Sequence, residues 1–307
     1  MISPAKTDLI SPAQPWGIMM RAAMGLALVA GTVTMAGSAL AQTSPDGVPQ
    51  RGIFAGAGAA LNFSTFPNQD VFGQGLSQIY QGSDFIARGE AGGSTSPYLS
   101  SQIDIAPVLQ LGYFERFSGT PWLWGAKFTF NYLNSASTQN NFLIPQAGYY
   151  GGTVSGAMDG NVYAHSYTMT ATNQFALVPF LGYSFDKSFI YAGAGPTLTQ
   201  VKSDLNGLIG FAALFGEHLD LTGAPRSFSS TNWVWGATLS TGVTYFFAKD
   251  WFIDLNYTYT MSTTKTNTFA SPFNTTHNGY TFSGVALGTY SGTTDVQAVM
   301  VSINKVF

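Results

Sequence analysis

Three histidines, His165, His218 and His277, are the imidazoles of this chain, with Asp159, Glu217 and Asp220 close by in sequence. A histidine that acts as general base must reach a nucleophile and be held by a third group. His165 is followed directly by Ser166, a neighbour without the required spacing, and Glu217-His218 has no serine nearby. The chain has no cysteine, so thiolate chemistry, disulfides and attachment of lipid through an amino-terminal Cys are excluded. Three scattered histidines do not make a metal-ligand pattern. No catalytic residue, metal or cofactor is expected, and the histidines read as solvated loop residues.

A second set of charged and amide side chains is better ordered. Asp104, Gln110, Arg116, Lys127, Asp254 and Asn256 all sit on the polar parity of segments whose other parity is apolar. Side chains of one parity share one face of a strand. If these faces line a common interior, Lys127 and Asp254 could pair across it, and two readings follow. The pair could be a gate that opens a small pore when it separates, or it could exist to satisfy a buried charge, since an unpartnered one is costly. Asn131 would join the same polar interior.

The elements that carry these residues alternate with period two. Apolar faces run through Ile53–Phe63, Ile103–Phe117, Trp122–Tyr132, Phe175–Phe185, Trp235–Tyr245 and Trp251–Met261, with Gly, Thr, Asn and Ser on the opposite parity. In the fourth of the eight strands, Thr170, Thr172 and Gln174 are expected to face inward. In the fifth, Ser188 to Lys202, Ile190, Ala192, Ala194 and Leu198 are placed outward, against Tyr191, Gly193, Gly195 and Thr197. The eighth, Asp295 to Phe307, sets Val299, Val301, Ile303 and Phe307 outward, and Val301, Ile303 and Phe307 are the expected assembly signal.

Short polar turns at Ser118 to Pro121, Asp186-Lys187 and Ala248 to Asp250 alternate with long connections at Ser64 to Ser100, Asn134 to Tyr167, Ser203 to Thr231 and Thr263 to Thr294. Tyr113, Phe117, Trp122, Trp124, Tyr183, Phe185, Tyr245, Phe247 and Trp251 cluster beside the short turns, as an interfacial aromatic girdle would. Lys305 and Glu115 break the outward apolar pattern, both near a strand end where a charge is tolerated. The third long connection, Leu205 to Leu221, has Leu208, Ile209, Phe211, Ala212, Leu214, Phe215 and Leu219 at a spacing that suits a short amphipathic helix. A further hairpin within a long connection would raise the strand number to ten.

Composition agrees with a membrane location for strands. Charged residues are 9% of the chain, with 24 Phe, 15 Tyr and 6 Trp, against roughly 25% charged in soluble domains. Beyond the leader, no stretch of about 18 consecutive apolar residues offers a spanning helix. A net charge of −3 without basic clusters gives no footprint for nucleic acid. Arg21, the apolar Ala22 to Ala36 and Ala39-Leu40-Ala41 read as a cleaved secretory signal peptide over residues 1–41, with Met19 or Met20 a possible start. A short segment, 42–51, would precede a barrel domain at 52–307.

Eight alternating strands, tight turns, long loops, a leader and the terminal aromatic Phe307 resemble the small outer-membrane β-barrels of the OmpA transmembrane-domain and OmpX group. Gly56-Ala57-Gly58 and Tyr191-Ala192-Gly193-Ala194-Gly195-Pro196 resemble glycine-rich strand segments of that group. The resemblance implies an all-β, antiparallel up-and-down transmembrane barrel in the outer membrane of a Gram-negative cell. It implies a non-enzymatic protein that contributes to envelope structure and displays loops for external contacts, with a porin-like channel as the alternative. The implied partners are outer-membrane lipid and lipopolysaccharide, the barrel-assembly machinery and an external ligand or host surface.

Overall fold

The computed structural model describes residues 47–214 and 217–307. The proposed leader and its cleavage site, most of the 42–51 segment and Phe215 lie outside these residues, as do the side chains of Leu214, Glu217 and His218.

Thirteen strands are described: β1 (Arg51–Thr65), β2 (Asp70–Gln81), β3 (Asp84–Thr95), β4 (Gln102–Arg116), β5 (Trp122–Gly152), β6 (Gly156–Phe185), β7 (Ser188–Leu214), β8 (Glu217–Asp220), β9 (Arg226–Ala248), β10 (Trp251–Ser262), β11 (Lys265–His277), β12 (Tyr280–Gly292) and β13 (Asp295–Val306). Eight of them close into one antiparallel ring in the order β1-β4-β5-β6-β7-β9-β10-β13 and back to β1. The closing ladder pairs Ala57 with Ile303 and Ala59 with Val301, while the other edge of β1 pairs Ala57 with Leu109 on β4.

Burial follows the alternation. Leu111, Leu181, Leu255, Val301 and Ile303 point outward and are exposed, whereas Asn62, Thr129, Asn256 and Asn304 point inward and are buried. This inverts the pattern of a water-soluble protein, and it is the exterior of a barrel that spans a membrane. Outward apolar side chains occupy about ten residues of each ring strand, the length that crosses hydrocarbon when tilted. Ile190, at 51% exposure, and the buried Tyr191 show that the fifth ring strand, β7, faces as expected. In the fourth, β6, a register shift between Ala171 and Gln174 reverses the parity above it. Met169 and Ala171 are therefore the buried residues there, and Thr172 turns its hydroxyl toward Gln200, a correction to the simple alternation.

Above the belt the long connections are strand rather than coil. β5 and β6 form a single hairpin of 31 and 30 residues, well beyond what a membrane needs. Two further hairpins, β2–β3 and β11–β12, lie within the first and last long connections, yet they join no strand of the ring at membrane level. The ring therefore keeps eight strands. The hairpins pair with each other and with the upper part of β5, giving a second tier in the order β11-β12-β2-β3-β5-β6-β7-β9.

This distal tier almost closes. Between β9 and β11 no backbone ladder forms, and the seam is held by side chains: Phe228 stacks on Phe269 with centroids 4.3 Å apart, and Asn232 Nδ2 donates to Asn267 Oδ1 at 2.8 Å. Among the described residues of Leu205 to Leu221 the expected helix is absent, and strand stands in its place. β7 continues through Leu214, and β8 pairs back onto Phe211–Leu214. A bulge between Leu205 and Leu208, with Gly207 at φ +65°, lets Leu208 and Ala212 enter the tier interior while Phe211 faces out. Spacing that serves one face of a helix here serves a bulged strand.

A cation in the middle of the apolar belt should be poorly tolerated. Leu255 lies on β10 between Val243 and Val301. Leu255→Arg is expected to destabilise the barrel by about 2–4 kcal/mol, measured by urea unfolding in lipid vesicles.

Candidate functional site

The polar interior of the ring is the candidate site, and its centre is a contact across the full width of the lumen. β5 and β10 stand opposite each other, four places apart in the ring of eight. Lys127 on β5 reaches Asp254 on β10 with Nζ 3.2 Å from Oδ2, and both side chains are almost fully buried. Tyr191 on β7 completes a chain of donors. Lys127 Nζ donates to Tyr191 Oη at 2.6 Å, and Tyr191 donates to Asp254 Oδ1 at 2.8 Å. Asn256 Nδ2 supplies a further hydrogen bond to Asp254 Oδ2 at 2.9 Å. The ammonium lies 4.7 Å from the centroid of the Tyr191 ring, off its hydroxyl edge, so the contact is the hydrogen bond to Oη.

Small residues create the space for this cluster. A Cβ on Gly242 would lie 2.6 Å from Tyr191 Oη and 2.7 Å from Asn256 Cβ, so any side chain there would displace the tyrosine.

The other polar candidates are distributed along the lumen. Asp104 accepts from Asn62 Nδ2 at 3.1 Å, and Asn131 donates to Asn62 Oδ1 at 2.8 Å, forming a separate cluster nearer the loop end. Gln110 is buried with neither amide atom bonded to protein. Arg116 lies at the turn end, where its backbone N–H donates to Gln50. Lys127, Asp254 and Asn256 are thus brought together, while Asp104, Gln110 and Arg116 are not part of their cluster.

Beneath the ion pair the lumen is closed by rings. Phe54, Phe114, Phe180, Phe189, Phe246 and Phe252 come from six different ring strands, and Leu123 and Val306 come from the remaining two. All are buried, and Val48 is buried against the same cluster. Phe246 and Phe252 have centroids 5.0 Å apart, Phe54 and Phe252 5.3 Å, and Phe114 and Phe189 5.6 Å. Gly112 permits the layer, because a Cβ there would lie 2.4 Å from Phe54 Cζ. Every ring strand contributes a side chain, so the turn end of the barrel is a packed core. The signal in the sequence is aromatic residues on both parities beside the short turns, as in Tyr113-Phe114, Tyr245-Phe246-Phe247 and Trp251-Phe252.

The expected girdle residues surround this layer on the outside. Phe117, Trp122, Trp124, Tyr183, Phe185, Tyr245, Phe247 and Trp251 are exposed, Tyr113 is half-buried, and Trp122 packs edge-on to Tyr183 at 5.4 Å. The two misplaced charges find local partners. Lys305 Nζ lies 5.6 Å from the rings of both Trp251 and Phe307, and Tyr113 Oη donates to Glu115 at 2.8 Å. Val301 and Ile303 sit in the closing strand between β1 and β10, and Phe307 N–H donates to Ile53 O at 2.8 Å. His277 lies 3.2 Å from Thr275 Oγ1, and His165 is exposed beside Gly207. Among the described residues no three His, Asp or Glu side chains come together.

Chemically, the luminal cluster is a buried, hydrogen-bonded ion pair. Removing one charge leaves the other buried. Asp254→Ala and Lys127→Ala should each cost about 3–5 kcal/mol of stability, while Lys127→Met combined with Asp254→Leu should recover much of that loss. Denaturant unfolding of the three variants in one vesicle system measures the difference.

No family model matches the chain, and no curated protein matches it. Solved structures to which it is similar include Ail, the attachment invasion locus protein of Yersinia pestis, at 10% identity over 77% of this chain and 98% of that one, with a TM-score of 0.25. Another is Neisserial surface protein A, at 12% identity over 83% and 97% of the two chains, with a TM-score of 0.29. At such scores it is the chain's own closed ring of backbone bonds that gives it the architecture of the small eight-stranded outer-membrane β-barrels.

Proposed function

We propose that this chain is a non-enzymatic integral protein of a bacterial outer membrane, exported by a cleaved leader, which contributes to envelope structure and presents its distal tier to external molecules. The observation that carries the reading is the combination of an apolar outer belt with a lumen filled by all eight strands. A plugged barrel supports anchoring and display better than passage. Outer-membrane lipid and lipopolysaccharide would contact the belt and its aromatic girdle. The barrel-assembly machinery would read Val301, Ile303 and Phe307, and the tier would meet an external ligand or host surface.

The buried Lys127–Asp254 pair favours a second reading, a small porin-like channel gated by luminal charge. The aromatic layer below it stands against that reading, because parting one ion pair leaves eight packed side chains in the path.

Two measurements separate these readings. On intact cells, protease should cut at the tip of the β2–β3 hairpin, near Gly82, and leave the ring strands intact. In planar bilayers the refolded protein should show no stable unitary currents, and Lys127→Ala should remain silent. Steady currents that change with Lys127→Ala would establish the channel, and protection of the hairpin in intact cells would overturn surface display.

A further inference from the structure

The interior of the distal tier contains an apolar cavity of about 90 Å³. Its cause can be traced through the strand register. One continuous row of paired residues crosses five strands as Ser271, Ala286, Gly75, Ala91 and Gly148, and it ends at Met158 on a sixth. Below this row the tier is filled by Val71, Ile144, Leu208, Phe269 and Tyr290, and above it by Ile79, Ala87, Phe273 and Phe282. Between two well-packed layers, the small residues leave a gap. A Cβ placed on Gly75 would have nothing within 4 Å, and its backbone is not in the left-handed region. A larger residue could have filled the space at this position, and an empty apolar void lowers stability.

The cavity also has one polar group that points to a ligand. Gln146 is more than nine-tenths buried and forms part of the wall. Its Nε2 donates to the backbone oxygens of Ile144 at 3.4 Å and Pro145 at 3.2 Å, and none of its described hydrogen bonds uses the carbonyl oxygen. A route to the cavity is present as well, because Phe228 and Phe269, the pair that stacks across the β9–β11 seam, both line it. Opening that seam breaks side-chain contacts and no backbone ladder. Arg226, at the exposed start of β9, stands at the edge of the same cavity.

We propose that the cavity binds a small, uncharged, largely apolar molecule, about the size of one phenyl ring and carrying a single hydroxyl, admitted through the β9–β11 seam. An apolar cavity of about 150 Å³ takes up benzene, so a volume of 90 Å³ requires the wall to yield modestly. Met158, unbranched and flexible, provides that adjustment. The hydroxyl donates to the carbonyl oxygen of Gln146, and the ring takes the place between the two interior layers. This site lies in the distal tier and is independent of whether the membrane lumen conducts.

Phenol is the probe and toluene its comparison. In lipid nanodiscs, the Met158 methyl resonance, identified by its loss in Met158→Leu, should shift saturably as phenol is added to the full chain. Gly75→Leu fills the gap and should weaken that response by about tenfold or more, with the unfolding midpoint unchanged or raised. Gln146→Leu should retain toluene binding and remove the preference for phenol. An unsaturable or absent Met158 shift in the parent protein overturns the proposal, and so does a Gly75→Leu protein that folds and binds phenol as tightly as the parent. Equal binding of phenol and toluene by the parent overturns the role of Gln146.

Discussion

Every unpaired backbone N–H or C=O exposed to hydrocarbon costs several kcal/mol, and this penalty dictates the membrane-level architecture. β1 must find β13, because either strand left with a free edge would have no water to replace the missing ladder. Once the ring is closed, alternation separates the two faces. One must be apolar for lipid, and the other is free to be polar, packed or both. Outside the membrane the constraint is relaxed, and the structure reflects this directly. The distal tier leaves the β9–β11 seam without a ladder, a gap tolerable only where water or side chains can satisfy the edges.

The lumen resolves a second conflict. A narrow ring must be filled, and the chain fills its turn end with phenylalanine and its centre with a neutralised charge pair. Tyr191 belongs to both regions. Its ring packs 5.1 Å from Phe180, and its hydroxyl links Lys127 to Asp254. The polar centre is therefore braced by the apolar plug, and the charges are held where a compact network satisfies them.

Much of the ring was legible from the chain alone, because membrane strands obey a strict two-way environment. Leu255 and Asn256 could be assigned to opposite faces from parity, and the same rule turned Lys127 and Asp254 toward a common interior, while parity alone names no partner across it. The aromatic plug was less legible, since Phe114 and Phe252 occupy the inward parity at strand ends where outward aromatics also gather. The distal tier was harder still. There, strands such as β2 and β12 have apolar and small residues inside but mixed polarity outside, so contrast between faces is weak. Leu208 and Phe211 satisfied a helical spacing and a bulged strand equally well, and long-range pairing with β6 and β9 decided between them. The bulge at Ala171 to Gln174 likewise left no mark in the pattern of residue types.

The two tiers are joined unequally. β5, β6, β7 and β9 run from the lipid belt into the distal tier, whereas β2–β3 and β11–β12 are tethered through short connections such as Thr263-Thr264. A load applied to the four continuous strands would pass straight into the membrane ring, while the same load on the tethered hairpins would be taken up as bending at their roots. The outer structure therefore has a stiff side and a compliant side, with the unzipped seam where the two meet, between β9 and β11.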